Sequence, residues 1–250
     1  VRRLLPGEDL LYLADQAHVP YGPRDPEEVR RLCEGAARFF LRQGAKLVVV
    51  ACNTACAAAL HHLRETFPAV PFVGMEPAVK PAARASRSGV IGVLATPGTL
   101  QGRPFCSVVE RFAQGVRVLT RTCPGLVEAV EAGETQGPRL RGLVEEAVAP
   151  LLAAGIDALV MGCTHYPLAH SAIREVCGPG VELVDPSLAV ARQVGRRLEE
   201  LGLARAAAAG RVRFATTGDP ERFSAQLAAL GGPPGEVRGV RWRGGELAEE

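Results

Sequence analysis

The chain has 250 residues, 47% of them hydrophobic, and 29 basic against 27 acidic side chains. That is enough apolar material for one large core or two smaller ones, while no apolar run approaches the length of a membrane span. The balanced charge forms no basic stripe and argues against nucleic acid as a partner, and the first residues, Val1 to Asp9, lack a secretory apolar segment, so a cytoplasmic location without membrane attachment is expected.

Leu10 to Ala14 reads as a short strand, with Asp15 to Gly22 as the loop beyond its carboxyl end. Asp25 is placed to cap a helix that has Pro26 in its first turn and runs to about Gln43, where Gly44 closes it. The β-branched run Leu47 to Ala51 reads as a buried parallel strand that stops at Cys52, the end at which open α/β sheets bind ligands. An Ala-rich helix follows to about Phe67, and Val70 to Val73 leads out to Pro77. Gly89 to Ala95 is a strand, Thr96-Pro97-Gly98-Thr99 turns into a helix reaching about Arg111, and Val116 to Thr120 is the next strand. Cys123 to Glu131 forms a loop or short helix, and a helix from Pro138 to Ala154 feeds the strand Ala158 to Gly162, which ends at Cys163. After Val181 to Val184 the tail holds a helix from Leu188, a strand at Val212 to Ala215, an Asp219-capped helix opening at Pro220, and a last strand near Val240 to Trp242. The lone tryptophan reads as packing.

Two strands thus end in the same way, and the likeness extends around them. At a constant offset of 111 residues Gly44 matches Gly155, Cys52 matches Cys163, Pro68 matches Pro179, and Val70 and Val73 match Val181 and Val184. Ordered matches over one strand, helix, strand pattern indicate a duplicated unit. The expected architecture is therefore two similar doubly wound α/β domains with parallel-type sheets in pseudo-twofold arrangement, the site lying in the cleft between them. Residues 1–79 and 187–250 form the first, discontinuous domain, and residues 80–186 the second. The second unit shows three strands where the first shows two, so a further strand is expected upstream of Val1, with this chain shorter than its natural fold.

Two thiols on facing walls suit one reaction. Inverting a carbon that bears an exchangeable proton needs a base on one face and an acid on the other, and a thiol, with a reference pKa of ~8.5, is readily tuned to serve as either. His165, two residues beyond Cys163, can pass protons to that thiol. Asn53, Thr54 and Thr164 are read as lying where helices begin, positions that both cap a helix and hold a carboxylate. Glu131 reads on its own as a solvated charge, and Cys56 as core. The odd count of seven cysteines without paired Cys-x-x-Cys knuckles indicates free thiols in a reducing compartment. His61-His62 has no ligand spacing, so no metal is expected. Only Lys46 and Lys80 occur, neither beside a phosphate-cradling loop, so no cofactor of the Schiff-base class is expected either.

Val50-Ala51-Cys52-Asn53-Thr54-Ala55, Gly162-Cys163-Thr164-His165-Tyr166-Pro167, Pro20-Tyr21-Gly22 and Thr216-Thr217-Gly218-Asp219-Pro220 together resemble the glutamate racemases of the cofactor-independent aspartate/glutamate racemase superfamily. The resemblance covers essentially the whole chain. It implies interconversion of L- and D-glutamate, supplying D-glutamate for peptidoglycan. Cys52 and Cys163 would be the acid/base thiols, with His165 and Glu131 assisting the second. Tyr21, Gly22, Asn53, Thr54, Thr96, Thr99 and Thr164 match positions that bind the amino acid, and the resemblance is compatible with a homodimer. The Asp-Ser-Gly with which members of the family begin is absent from this sequence, which matches the strand the repeat lacks, and weak or no activity is expected of the 250-residue form. Racemisation of aspartate or a related acidic amino acid is the nearest alternative. A thiol redox or metal-binding protein, or an inactive form that only binds, are alternatives of another class.

Overall fold

A computed structural model describes residues 1–206 and 208–249. Strand β1 (Leu10–Ala14) leads through a 3-10 turn, Gln16–His18, to helix α1 (Pro26–Arg42). The Asp25 carboxylate accepts the amide N–H groups of Glu27 and Glu28 at the head of α1, and Gly44 beyond its end has φ +77°, a value that glycine adopts without a steric penalty. Then come β2 (Val48–Val49), α2 (Asn53–Thr66) and β3 (Phe72–Val73), a short parallel pair with a helix between.

The second unit is longer in its strands. After α3 (Val79–Ala85) come β4 (Val90–Ala95), α4 (Pro97–Leu100), α5 (Arg103–Phe112), β5 (Arg117–Arg121), α6 (Leu126–Glu131), α7 (Pro138–Ala153), β6 (Ala158–Gly162), α8 (His170–Cys177) and β7 (Glu182–Val184). The sheet has the order β5-β4-β6-β7, parallel throughout. Every residue of β6 is buried, as expected of a central parallel strand with both faces covered. One face packs on α7 and α8 through Leu140, Val144, Leu151 and Ile173, and the other on α3 and α5 through Val79, Ala82, Phe105 and Val108.

The tail contributes α9 (Ser187–Glu200), β8 (Val212–Thr216), α10 (Pro220–Ala229), β9 (Glu236–Arg243) and β10 (Glu246–Glu249). Strand β8 pairs in parallel with β1 over five residues, Leu10 opposite Val212 and Ala14 opposite Thr216, in a sheet of order β1-β8-β9-β10. By position in the repeat, β2 and β3 match β6 and β7, and β1 matches β5. None of the described strands takes the place that β4 holds between them, so the β1 and β2 sheets share no ladder.

Three features depart from the sequence reading. The helix expected from Thr96 to about Arg111 is two helices, interrupted at Gln101-Gly102. A Cβ on Gly102 would lie 2.6 Å from that of Ala57, so the chain turns where it passes closest to α2. The last strand is a hairpin, because Gly244 and Gly245 both have positive φ, the requirement of the two-residue turn that matches strand twist. Being antiparallel, the hairpin makes this sheet mixed and not wholly of parallel type. Trp242, finally, is more than packing: its indole N–H donates to the Asp15 carboxylate at 2.8 Å.

Gly35, inside α1, shows how tightly this hairpin is seated. A Cβ there would come within 2.5 Å of both the Trp242 ring and the Gly245 carbonyl oxygen, which outweighs the helix-weakening effect of glycine. Gly35→Ala is therefore expected to destabilise the chain by about 1–3 kcal/mol, read from the denaturant midpoint, instead of stabilising it as alanine ordinarily does in a helix.

Candidate active site

The register of the second sheet builds one wall. Ala95 pairs with Gly162 at the carboxyl ends of β4 and β6, and a Cβ on Gly162 would lie 2.7 Å from that of Ala95. With no side chain there, the strand ends close up and Thr96 and Cys163 emerge side by side. The other wall is the head of α2. Cys52 is its capping residue, in extended backbone, with the sulfur accepting the Ala55 N–H at 3.5 Å. An N-terminal helix turn favours negative charge at that sulfur. Burial works against it and prevails, pushing the Cys52 thiol up to about 11, with the sulfur of Cys163 near enough to add to the rise.

Around Cys163 the arrangement differs. Its sulfur meets His165 Nδ1 at 3.8 Å, and His165 Nε2 meets Glu131 Oε1 at 2.7 Å. Burial opposes a charge on the imidazole, but hydrogen bonds to Cys163 and Glu131 outweigh it and lift His165 to about 9. The bond from His165 in turn holds the Glu131 carboxyl below its ordinary range, helped by the Gln16 amide and the charge of Arg222, against burial. Glu131, which read as a solvated charge on the sequence, is thus one end of a three-member chain. Nothing near Glu131 in the sequence signals this, because the 33 residues between it and His165 hold a whole helix and strand.

Hydroxyls join the two walls. Thr54 Oγ1 lies 2.7 Å from Thr96 Oγ1 and 3.4 Å from Thr99 Oγ1, and the last two are 3.0 Å apart. Gly22 abuts Thr96 so closely that a Cβ would lie 2.9 Å from the threonine Cβ, and Gly98 stands in the same relation to the Thr54 methyl. Tyr21, beside Gly22, donates its hydroxyl to Asp15 at 2.7 Å. Asn53 is buried, and neither polar atom of its side chain has a hydrogen-bonding partner in the protein, an arrangement native interiors rarely tolerate without a ligand to satisfy it. Thr164 departs from the reading that placed it at a helix start. It lies in the turn before a 3-10 segment, Tyr166–Ala169, and α8 opens only at His170. Cys56 is core as expected, its thiol donating to the Val50 carbonyl and accepting the Met75 N–H.

Two groups of residues escaped the sequence reading. Asp15 accepts hydrogen bonds from Tyr21, Thr217 and Trp242 and faces His18 at 3.0 Å, fixing the loop that carries Tyr21 and Gly22. Its signal was available, since it stands at the carboxyl end of β1 as the cysteines do at theirs. Gln16 from the β1 loop and Gln226 from the tail reach toward Glu131, which no local pattern announces.

The family pattern described as Asp/Glu/Hydantoin racemase matches residues 1–194. The chain belongs to that family. It is 54% identical over 226 residues to a protein named glutamate racemase from Roseiflexus sp. (strain RS-1), covering 90% of this chain and 83% of that one. Among solved structures it superposes on a glutamate racemase isoform of Bacillus anthracis with TM-score 0.88 at 30% identity, over 98% of this chain and 91% of the other. Escherichia coli glutamate racemase in complex with L-glutamate and activator UDP-MurNAc-ala gives TM-score 0.84 at 29% identity, over 98% and 92%.

Two outcomes are expected of this geometry. His165 should titrate near 9 by NMR, and Glu131→Gln should bring it down toward the ordinary ~6.5. Because its folded pKa is raised, its stabilising contribution is full below the unfolded value of ~6.5 and is lost as pH rises through about 9, so Glu131→Gln should flatten the pH dependence of the denaturant midpoint over that window. Asn53→Leu, which removes an unpaired buried amide at similar volume, should leave the fold as stable as before or raise its stability by about 1 kcal/mol while weakening binding of the amino acid at least tenfold, as calorimetry would read.

Proposed function

We infer that the chain interconverts L-glutamate and D-glutamate without a cofactor, by proton transfer at the α-carbon between two thiols. The observation that carries this reading is the convergence of two unlike thiols. One heads a helix and the other is joined to a half-buried imidazole and carboxylate, and the two walls that carry them meet at the hydroxyls of Thr54 and Thr96. On this reading one sulfur, as thiolate, takes the α-proton from one face, leaving the electron pair on carbon beside the carboxylate. The opposite thiol then returns a proton to the other face, so the substrate is inverted with no net change in atoms or charge. For the other enantiomer the roles exchange.

His165 donates Nδ1–H toward the Cys163 sulfur and Glu131 keeps that imidazole charged near neutrality, which steadies the sulfur whenever it is a thiolate. Cys52 has the peptide N–H of Ala55 for the same purpose. Tyr21, Gly22, Asn53, Thr54, Thr96, Thr99 and Thr164 hold the carboxylates and amino group, with the unpaired amide of Asn53 and the three clustered hydroxyls supplying donors. We assign residues 1–79 and 187–250 to one domain and 80–186 to the other, supported by the β1–β8 ladder and by the packing of α2 on α4 across the cleft. D-Glutamate made in this way feeds peptidoglycan. The seven free cysteines and the absence, among the described residues, of any helix long and apolar enough to cross a membrane favour a cytoplasmic location.

In deuterated solvent the parent chain should place deuterium at the α-carbon of both glutamate enantiomers. Cys52→Ser and Cys163→Ser should each slow racemisation by about a hundredfold or more, each retaining exchange with one enantiomer only, and the opposite one in the two variants. Unaltered racemisation in either variant would overturn the assignment of the thiols, and turnover of aspartate in preference to glutamate would overturn that of the substrate.

A further inference from the structure

Behind the Glu131–His165 pair lies a set of side-chain amides for which the proton-transfer scheme has no use. Thr216, at the end of β8, donates its hydroxyl to Gln16 Oε1 at 2.8 Å. Gln16 Nε2 donates to Gln226 Oε1 at 2.8 Å, and Gln226 Nε2 donates to the backbone carbonyl of Glu131. Both glutamines are half-buried. Gly218 leaves the space Gln16 fills, since a Cβ there would lie 2.7 Å from Gln16 Oε1. The carbonyl that Gln226 holds closes α6, beyond which the chain turns away at Gly133, φ +86°. The last turn of a helix has free carbonyls, so an outside donor on one of them fixes the angle at which the final side chain leaves the helix. Here that side chain is the carboxylate facing His165.

We propose that Gln16 and Gln226 form a clasp, reaching from the β1 loop and α10, that positions Glu131 and through it His165 against Cys163, so that both are positioning residues for proton transfer at that thiol. The clasp rests on the racemase reading and adds to it. Neither amide touches the reacting atoms. They act by geometry, and displacing a catalytic group by a fraction of an ångström is enough to slow a proton transfer severely.

The test compares Gln16→Leu, Gln226→Leu, the double variant and the near-isosteric Gln226→Glu with the parent, using α-deuterated L- and D-glutamate. Each single variant should lower kcat/KM by about tenfold, equally in the two directions because the overall equilibrium constant is one. The primary deuterium isotope effect should rise for one enantiomer only, the one whose solvent exchange is lost in Cys163→Ser. The double variant should be no slower than the slower single, since the two amides act as a unit. Should a leucine variant fail to fold, Gln226→Glu decides, because it keeps the size and loses the donor. Isotope effects that rise alike for both enantiomers, losses that multiply in the double variant, or parent-like kinetics throughout would overturn the clasp. A parent that exchanges no α-proton of glutamate would overturn the racemase reading and the clasp with it, whereas a parent that exchanges normally beside parent-like variants overturns the clasp alone.

Discussion

An ion partly withdrawn from water needs a partner, and the 2.7 Å bond between Glu131 and His165 is where this molecule meets that demand. Burial disfavours charge on both groups, drawing the imidazole toward its neutral form and the carboxyl toward its protonated one. Together they hold each other ionised, and the imidazole keeps its second N–H for the Cys163 sulfur. Much of the local chain serves this pairing. Gly125, at φ +83°, turns the backbone so that α6 can start, and Leu126, Val127, Ala129 and Val130 sink into the core, leaving Glu131 as the last residue to face the turn after β6.

The two thiols come from matching places in a repeat and are nonetheless supported by different physics. Cys52 relies on the peptide groups of the helix it caps, a fixed dipole that neither gains nor loses protons. Cys163 relies on a side chain that does titrate. After Cys52 the helix starts at once, while after Cys163 the backbone spends six residues in a turn and a 3-10 segment before α8 begins, and that delay is what makes room for His165. Duplication supplied the scaffold, and departure from it supplied the proton relay.

The sequence disclosed whatever depends on local periodicity or on the repeat. Strand β1, the Asp25 cap, the extent of α1 and α7 and the termination of β6 at Cys163 are all legible from nearby residues. The shortness of β2 was not, because its run of β-branched residues has a partner only in the two residues of β3. Nor was the break at Gln101-Gly102, which a neighbouring helix imposes. Within the site, the cysteines and His165 announced themselves, whereas Tyr21, Gly22, Thr96 and Thr99 were reached only through resemblance. Gln16 and Gln226 have no local signature, because their partners lie 95 to 210 residues away and side chains meeting over that span are set by topology.

The pairing of β1 with β8 and the bond from Trp242 to Asp15 tie residues 10–15 to segments about 200 or more positions later in the chain. A polypeptide leaving the ribosome amino terminus first would therefore hold the loop of Tyr21 unfinished until Trp242 had been added. The β4 to β7 sheet, whose strands all come from one continuous stretch, has no such wait. Synthesis thus imposes an order of assembly in which the wall bearing Cys163 is complete first, and the hairpin that follows β8 then closes the front of the molecule.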